Sequence, residues 1–232
     1  MVKRAVVNVI YGDPSDHAIT TENHRRYAEK LGCDYRVVKT VKPVRPPVPA
    51  MDTTYTFTHE CFFKFDVAQV LNEYDQTLYL DGDIVISRAC PNIFDFVPLE
   101  KYGFIDELLL MRPEHVETIK YWFVTTGWND PWWSLNGGVL VLPKNGAEFY
   151  SFHKELDFQF ASDQNMLTLS IHDKPDKFLL LDHRFNHSYM HHKEFYPGLH
   201  DAWIIHMAGM GAYQSVKERD LALTRCLETY GL

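Results

Sequence analysis

The stretch Thr77-Leu78-Tyr79-Leu80-Asp81-Gly82-Asp83-Ile84-Val85-Ile86 sets two carboxylates, one residue apart, between two short apolar runs. Thr77 to Leu80 has the length and composition of a strand buried on both faces, as in the interior of an α/β sheet. Sheets of that class hold their ligands beyond the carboxyl ends of the inner strands, which is where Asp81 and Asp83 stand. Carboxylate oxygens suit a hard divalent cation such as Mg²⁺ or Mn²⁺ that keeps positions open for phosphate oxygens. One carboxylate can bind the metal while its neighbour accepts a hydrogen bond from a ribose hydroxyl, and Gly82 lets a diphosphate approach the backbone. The structural alternative is an ordinary acidic turn, since D-x-D is a frequent pattern. The buried strand on each side weighs toward a ligand site.

Working outward, Ala5 to Tyr11 is a second, almost wholly apolar β-branched run, and it ends in Gly12-Asp13-Pro14. Asp16 to Leu31 reads as a helix, with Asp16 as N-cap and Gly32 just past its end. Asp34 to Lys39 reads as a strand, so the three elements form a right-handed βαβ unit. Pro43, Pro46, Pro47 and Pro49 make Thr40 to Pro49 an extended surface loop. His59 to Glu73 is expected to be helical, with Phe62, Phe63, Val67, Val70 and Leu71 on one side. Downstream of the acidic pair come a short strand, Ile84 to Ile86, and a helical turn started by Pro91. Four of the five tryptophans (Trp122, Trp128, Trp132 and Trp133) lie around Gly127 and Asp130-Pro131. Their faces suit stacking on sugar rings, with core packing as the alternative. Gly138 to Leu142 is a strand, followed by a helix over about Ala147 to Phe158. Asp163 caps a further helix through Ile171, and strands at Phe178 to Leu181 and Trp203 to Ile205 precede a closing helix, Ser215 to Thr229. This alternation, with no internal repeat or linker, predicts one α/β domain with a central mixed, mostly parallel sheet flanked by helices.

The 232 residues are 46% hydrophobic, enough for a substantial core. With 31 acidic and 23 basic side chains the net charge is −8, so no nucleic-acid partner is expected. No stretch approaches 18 apolar residues, and the basic start Met1-Val2-Lys3-Arg4 lacks a cleavage pattern behind it, so no transmembrane segment or signal peptide is expected. The four cysteines are scattered without C-x-x-C spacing and read as reduced thiols, consistent with a cytoplasmic protein. His183, His187, His191, His192 and His200 cluster before His206, yet their spacing fits no closed zinc pattern.

Further segments fall into an order that carries a resemblance. Lys64 sits in Phe62-Phe63-Lys64-Phe65-Asp66, upstream of Asp81-Gly82-Asp83. After these come Asn136-Gly137-Gly138-Val139-Leu140, Asp163-Gln164-Asn165-Met166-Leu167, Leu181 to Asn186, and Ile205-His206-Met207-Ala208-Gly209. Across roughly residues 5–212 the chain resembles the GT-A glycosyltransferases, especially the retaining family of glycogenin and the bacterial galactosyltransferases (glycosyltransferase family 8). That resemblance implies a single Rossmann-like GT-A domain over 1–232: a nucleotide-binding part at about 1–100, an acceptor and donor-sugar part at about 101–212, and a C-terminal helix at 213–232. It also implies sugar transfer from a nucleotide-sugar donor, a UDP-sugar above all, to a glycan, lipid-linked or protein acceptor.

The resemblance extends to roles. Tyr11 and Gly12 border the base, and Lys64 approaches the nucleotide. Asp81 touches ribose and metal, Asp83 is the principal ligand of Mn²⁺ or Mg²⁺, and His206 completes the metal site. Asn136, Gly137 and Gly138 meet the donor sugar; Asp163 and Gln164 lie beneath it, with Gln164 near the anomeric carbon. Gly209 and Gly211 offer backbone N–H groups to the diphosphate. The chain departs from the family pattern in having Gly82 between the aspartates, Asn165 after Gln164, Met207 after the histidine, and no basic tail after Gly209. Two other readings are a sugar nucleotidyltransferase and a non-catalytic carbohydrate-binding protein. The first normally has a Gly-rich basic loop after the first strand, where Tyr11 to Asp16 has one glycine and no basic residue.

Overall fold

β1 (Arg4–Tyr11) is buried along almost its whole length, and its side chains divide by parity. Ala5, Val7 and Val9 enter one apolar cluster, and Val6 enters another. The same split holds in β3 (Gln76–Leu80), where Tyr79 faces the first cluster and Leu78 and Leu80 the second. A strand with apolar residues at every position must be covered on both faces, and each fully buried Leu, Val or Phe stabilises that arrangement by roughly 1.5–3 kcal/mol. The computed structural model describes residues 2–40, 59–110, 117, 120, 133–150, 163–188, 201–207 and 216–229. The proline loop, Trp122, Trp128, Trp132, His191, His192, His200, Gly209 and Gly211 lie outside those residues.

After β1 come α1 (Ala18–Leu31) and β2 (Asp34–Thr40), and β2 pairs parallel to β1 as expected. The entry to α1 differs from expectation. A 3-10 turn, Pro14–His17, precedes it, capped by Asp13, whose carboxylate accepts from Ser15 N–H; Asp16 lies inside that turn and His17 takes the N-cap position of α1. Pro14 suits the first position of a turn because it lacks the N–H that would go unpaired there. Gly32 ends α1 with φ +64°, a left-handed conformation that glycine adopts without Cβ strain.

His59–Gln69 runs as 3-10 turns, not the expected α-helix. In a 3-10 run side chains at i and i+3 eclipse, so Lys64, Val67 and Val70 share one ridge. All three are buried, and Lys64 is thereby carried inward with its apolar neighbours.

β4 (Ile84–Ile86) and β5 (Tyr102–Phe104) follow β3; then come β6 (Val139–Pro143), α2 (Asp163–Ile171), β7 (Phe178–Leu180), β8 (His187–Ser188), β9 (Ile204–His206) and α3 (Val216–Thr229). The main sheet has the order β2-β1-β3-β6-β5-β7. It is mixed and mostly parallel, with β6 antiparallel to both its neighbours. β4 leaves it to form a small sheet, β4-β9-β8. The helix expected from Ala147 begins as a 3-10 turn, Gly146–Tyr150, and its remainder lies outside the described residues. Trp133 is buried against Phe104 and Phe178, so for this tryptophan core packing replaces the expected sugar-stacking surface. Cys33, Cys90 and Cys226 are free thiols. Among the described residues no helix is long and apolar enough to cross a membrane.

Candidate active site

Three features of the topology bring the site together. β3 ends at Leu80, and the ladder continues one step as Asp81 N–H donates to the Gly138 carbonyl at 2.9 Å. Because β6 runs antiparallel to β3, its beginning lies at the carboxyl end of β3, and Asn136-Gly137-Gly138 therefore meets Asp81. In the small sheet Ile84 pairs with His206, and Met207 N–H donates to the Asp83 carbonyl at 2.9 Å. That register sets the His206 ring beside Asp83, with Nε2 at 3.3 Å from Asp83 Oδ1 and 3.9 Å from Asp81 Oδ2.

One donor atom each from Asp81, Asp83 and His206 lies within 4.8 Å of the others. Two carboxylates and an imidazole form a donor set that fits Mn²⁺ and, through the oxygens, Mg²⁺. Burial alone would raise the Asp83 carboxyl, but the adjacent His206 outweighs it and holds Asp83 below the usual carboxylate range. Burial likewise opposes the charged imidazole; Asp83 first and Asp81 next overcome that and hold His206 above its ordinary value. The two carboxylates are not equivalent. Asp81 Oδ1 accepts a hydrogen bond from the Tyr79 hydroxyl, and its Oδ2 accepts from Lys64 Nζ at 3.2 Å. Asp83 faces the His206 ring instead, and is the freer ligand toward a cation.

Lys64 is a clamp. Its ammonium lies 2.5 Å from Asp163 Oδ2 at the start of α2 and 3.2 Å from Asp81 Oδ2, and it donates to the Gly137 carbonyl at 3.3 Å. Burial pushes the Asp163 carboxyl up against the opposing pull of Lys64. Gln164, the next residue, accepts from Gly137 N–H and donates to Glu107. Among the described residues, four carboxylates, Asp81, Asp83, Glu107 and Asp163, thus gather in one region with one ammonium and one imidazole. That surplus of negative charge in a poorly solvated place favours a bound cation.

The glycines are explained by neighbours in the chain itself. A Cβ on Gly138 would lie 2.3 Å from His206 Cε1, and one on Gly137 would lie 3.0 Å from Lys64 Nζ. A Cβ on Gly82 would lie 2.6 Å from His17 Nδ1. Gly138→Ala is therefore expected to displace the His206 ring and weaken Mn²⁺ binding at least tenfold. A calorimetric Mn²⁺ titration at the wild-type value would refute this.

Tyr11 and Gly12 stand at the same sheet edge as the acidic pair, three and four residues beyond Asn8, which pairs with Leu80. Tyr11 is exposed and Gly12 has φ +91°. Asn136 is buried, with its side chain bonded to Glu107, Asn186 and Gly138 N–H. Sequence reasoning missed Glu107 and His17. Neither stands in a recognisable motif; Glu107 follows a short strand like any acidic loop residue.

This mixed sheet, with an Asp-x-Asp pair at the carboxyl end of an inner strand and a histidine brought in by a second small sheet, has the GT-A fold of known glycosyltransferases. Among solved structures, the chain is similar to a glycosyltransferase involved in glycosylation of the major capsid of PBCV-1, with TM-score 0.59 and 17% identity over 96% of this chain and 98% of that one. It is also similar to the galactosyltransferase LgtC in complex with donor and acceptor sugar analogs (TM-score 0.57, 14% identity, 95% of each chain). A third is mouse xyloside xylosyltransferase 1 (TM-score 0.51, 14% identity, 89% of this chain and 98% of that one). At these identities the likeness is one of fold. No protein-family model and no curated protein matches the sequence.

Proposed function

We propose that the chain is a metal-dependent glycosyltransferase of the hexosyltransferase type, moving a sugar from a nucleoside-diphosphate donor, a UDP-sugar, to an acceptor hydroxyl with retention at the anomeric carbon. The observation that carries this is the convergence of Asp81, Asp83 and His206 at the carboxyl end of β3 on a GT-A fold. Mn²⁺ or Mg²⁺, when bound there, supplies positive charge against the negative charge developing on the departing diphosphate. Asp83 and His206 would hold it, and Asp81 would share in it while reaching the ribose. Lys64 holds Asp81 and Asp163 in place. Tyr11 and Gly12 border the base at the end of β1. Asp163 and Gln164 face the donor sugar, with Gln164 beside the anomeric carbon, and Gly209 meets the diphosphate. In this reading residues 1–100 bind the nucleotide, 101–212 hold donor sugar and acceptor, and 213–232 close the single domain. The acceptor is a glycan, a lipid-linked sugar or a protein. Free thiols at Cys33, Cys90 and Cys226 support a cytoplasmic setting.

The test is a panel of UDP- and GDP-sugars, each with Mn²⁺ or with a chelator, read by melting temperature and by slow donor hydrolysis. At least one UDP-sugar is expected to raise the melting temperature and to be hydrolysed only with metal. A panel without any such donor would leave a carbohydrate-binding module as the better reading.

A further inference from the structure

Gly137 and Gly138 are consecutive, and their backbone N–H groups enter two different side-chain amides. Gly137 N–H donates to Gln164 Oε1 at 3.0 Å, and Gly138 N–H donates to Asn136 Oδ1 at 2.9 Å. A backbone N–H only donates, so each glycine fixes the carbonyl end of its amide and turns the NH₂ end away. Both NH₂ ends arrive at the same side chain. Gln164 Nε2 donates to Glu107 Oε2 at 2.7 Å, and Asn136 Nδ2 donates to Glu107 Oε1 at 3.3 Å. An ionised carboxylate accepts at both oxygens; an amide or a protonated carboxyl at that place would set a donor against a donor.

The chain of bonds continues toward the metal ligands. Asn136 Oδ1 also accepts from Asn186 Nδ2 at 2.7 Å, which leaves Asn186 Oδ1 facing His206 Nδ1 at 3.1 Å. A carbonyl oxygen at that distance calls for a proton on Nδ1, and Nε2 is then the nitrogen turned to Asp83 for a cation. Glu107, Asn136, Asn186 and His206 are all buried, so no bulk water substitutes for a lost partner.

We infer that Glu107 is a positioning residue: its carboxylate sets the polarity of one buried hydrogen-bond chain that aligns Gln164 at one end and His206 at the other. The His206 end rests on the proposed metal site; the Gln164 end does not. Burial pushes the Glu107 carboxyl up to about 7, and the donors Asn136 and Gln164 pull against that rise, so the two amides favour the ionised form that the bond directions require.

The inference is tested by a double-mutant cycle in the full chain with E107Q, Q164E and both together, read by melting temperature without metal. E107Q keeps the shape but opposes two donors, and is expected to melt about 2–8 °C lower. Q164E alone opposes two carboxylates and is expected to melt lower as well. The double variant restores donor to acceptor at every link and is expected to return to within about 2 °C of wild type. If E107Q melts at or above the wild-type temperature, as simple relief of a buried charge would give, or if the two losses add, the inference is overturned. Mn²⁺ titration followed by electron paramagnetic resonance reads the other end. E107Q is expected to bind Mn²⁺ about tenfold more weakly, with recovery in the double variant. Unchanged affinity in E107Q beside a loss in D83A overturns the His206 end and leaves the metal site standing. Equal Mn²⁺ binding by wild type and D83A overturns the metal site and this end with it, while the melting cycle still decides the Gln164 end.

Discussion

Asp83→Ala is expected to lower sugar transfer at least about a thousandfold at saturating Mn²⁺, with the fold intact. The reason lies in how the two aspartates are used. Both oxygens of Asp81 are engaged, one by Tyr79 and one by Lys64, whereas Asp83 is set against His206 at 3.3 Å. Removing Asp83 therefore takes away the freer carboxylate of the cation site, and Asp81 is too committed to replace it. Losing a preorganised group that offsets developing charge costs about 3–4 kcal/mol of transition-state stabilisation, or 10²–10³ in rate, and loss of the ion itself adds to that. Stability should fall modestly at neutral pH, because burial is outweighed by His206, which holds the Asp83 carboxyl below the usual range, and the ionised pair therefore favours the folded state. Initial rates of donor hydrolysis, with and without chelator, check the prediction. Turnover within tenfold of wild type and still abolished by chelator would move the metal elsewhere.

Lys64→Met carries the largest expected effect on stability, a loss of about 3–5 kcal/mol at neutral pH. The side chain is buried, and its ammonium is shared by Asp163 at 2.5 Å and Asp81 at 3.2 Å, while also bonding the Gly137 carbonyl. Methionine fills a similar volume, so the cost is that of two carboxylates left without their counter-ion. The sign of the pH dependence follows. Burial already raises the Asp163 carboxyl, and Lys64 opposes that rise. Without the lysine the folded protein holds a proton on Asp163 at pH values where the unfolded chain has released it. Stability of the variant then falls as pH rises through that window, so its deficit against wild type is greater at pH 8 than at pH 5. Urea unfolding at the two pH values measures this, and Lys64→Met with Asp163→Asn should regain part of the loss. A deficit below about 1 kcal/mol at both pH values would show that the lysine is not a clamp.

The legible parts of this protein are those written in local pattern. Apolar runs of strand length predicted β1, β3, β4 and β6, because a strand covered on both faces has no polar face to disguise it. Gly32 marked the end of α1 through its need for positive φ, and the parallel pairing of β1 with β2 followed from the helix between them. His59–Gln69 forms 3-10 turns in place of the expected helix, since a periodicity near three and one near 3.6 look alike over so few turns. Asp16 is not the cap of α1 because a 3-10 turn, which leaves no mark in composition, takes up Pro14–His17 before the helix begins. No local pattern shows what a side chain at Gly137 or Gly138 would meet: a Cβ there would run into Lys64 with Asp163 and into the His206 ring.

Taken alone, the amino-acid sequence determined the fold class and the place of Asp81-Gly82-Asp83 at the end of an inner strand, since both depend on runs of neighbouring residues. It also ordered Lys64, Asn136, Asp163 and His206 along the chain without saying which touch. Only the tertiary structure decided that His206 stands beside Asp83, through the register of β9 on β4, and that Lys64 is shared between Asp81 and Asp163. It alone revealed Glu107, whose part depends on the direction in which two amides point, a property of fixed backbone donors brought together by folding and carried by no local pattern.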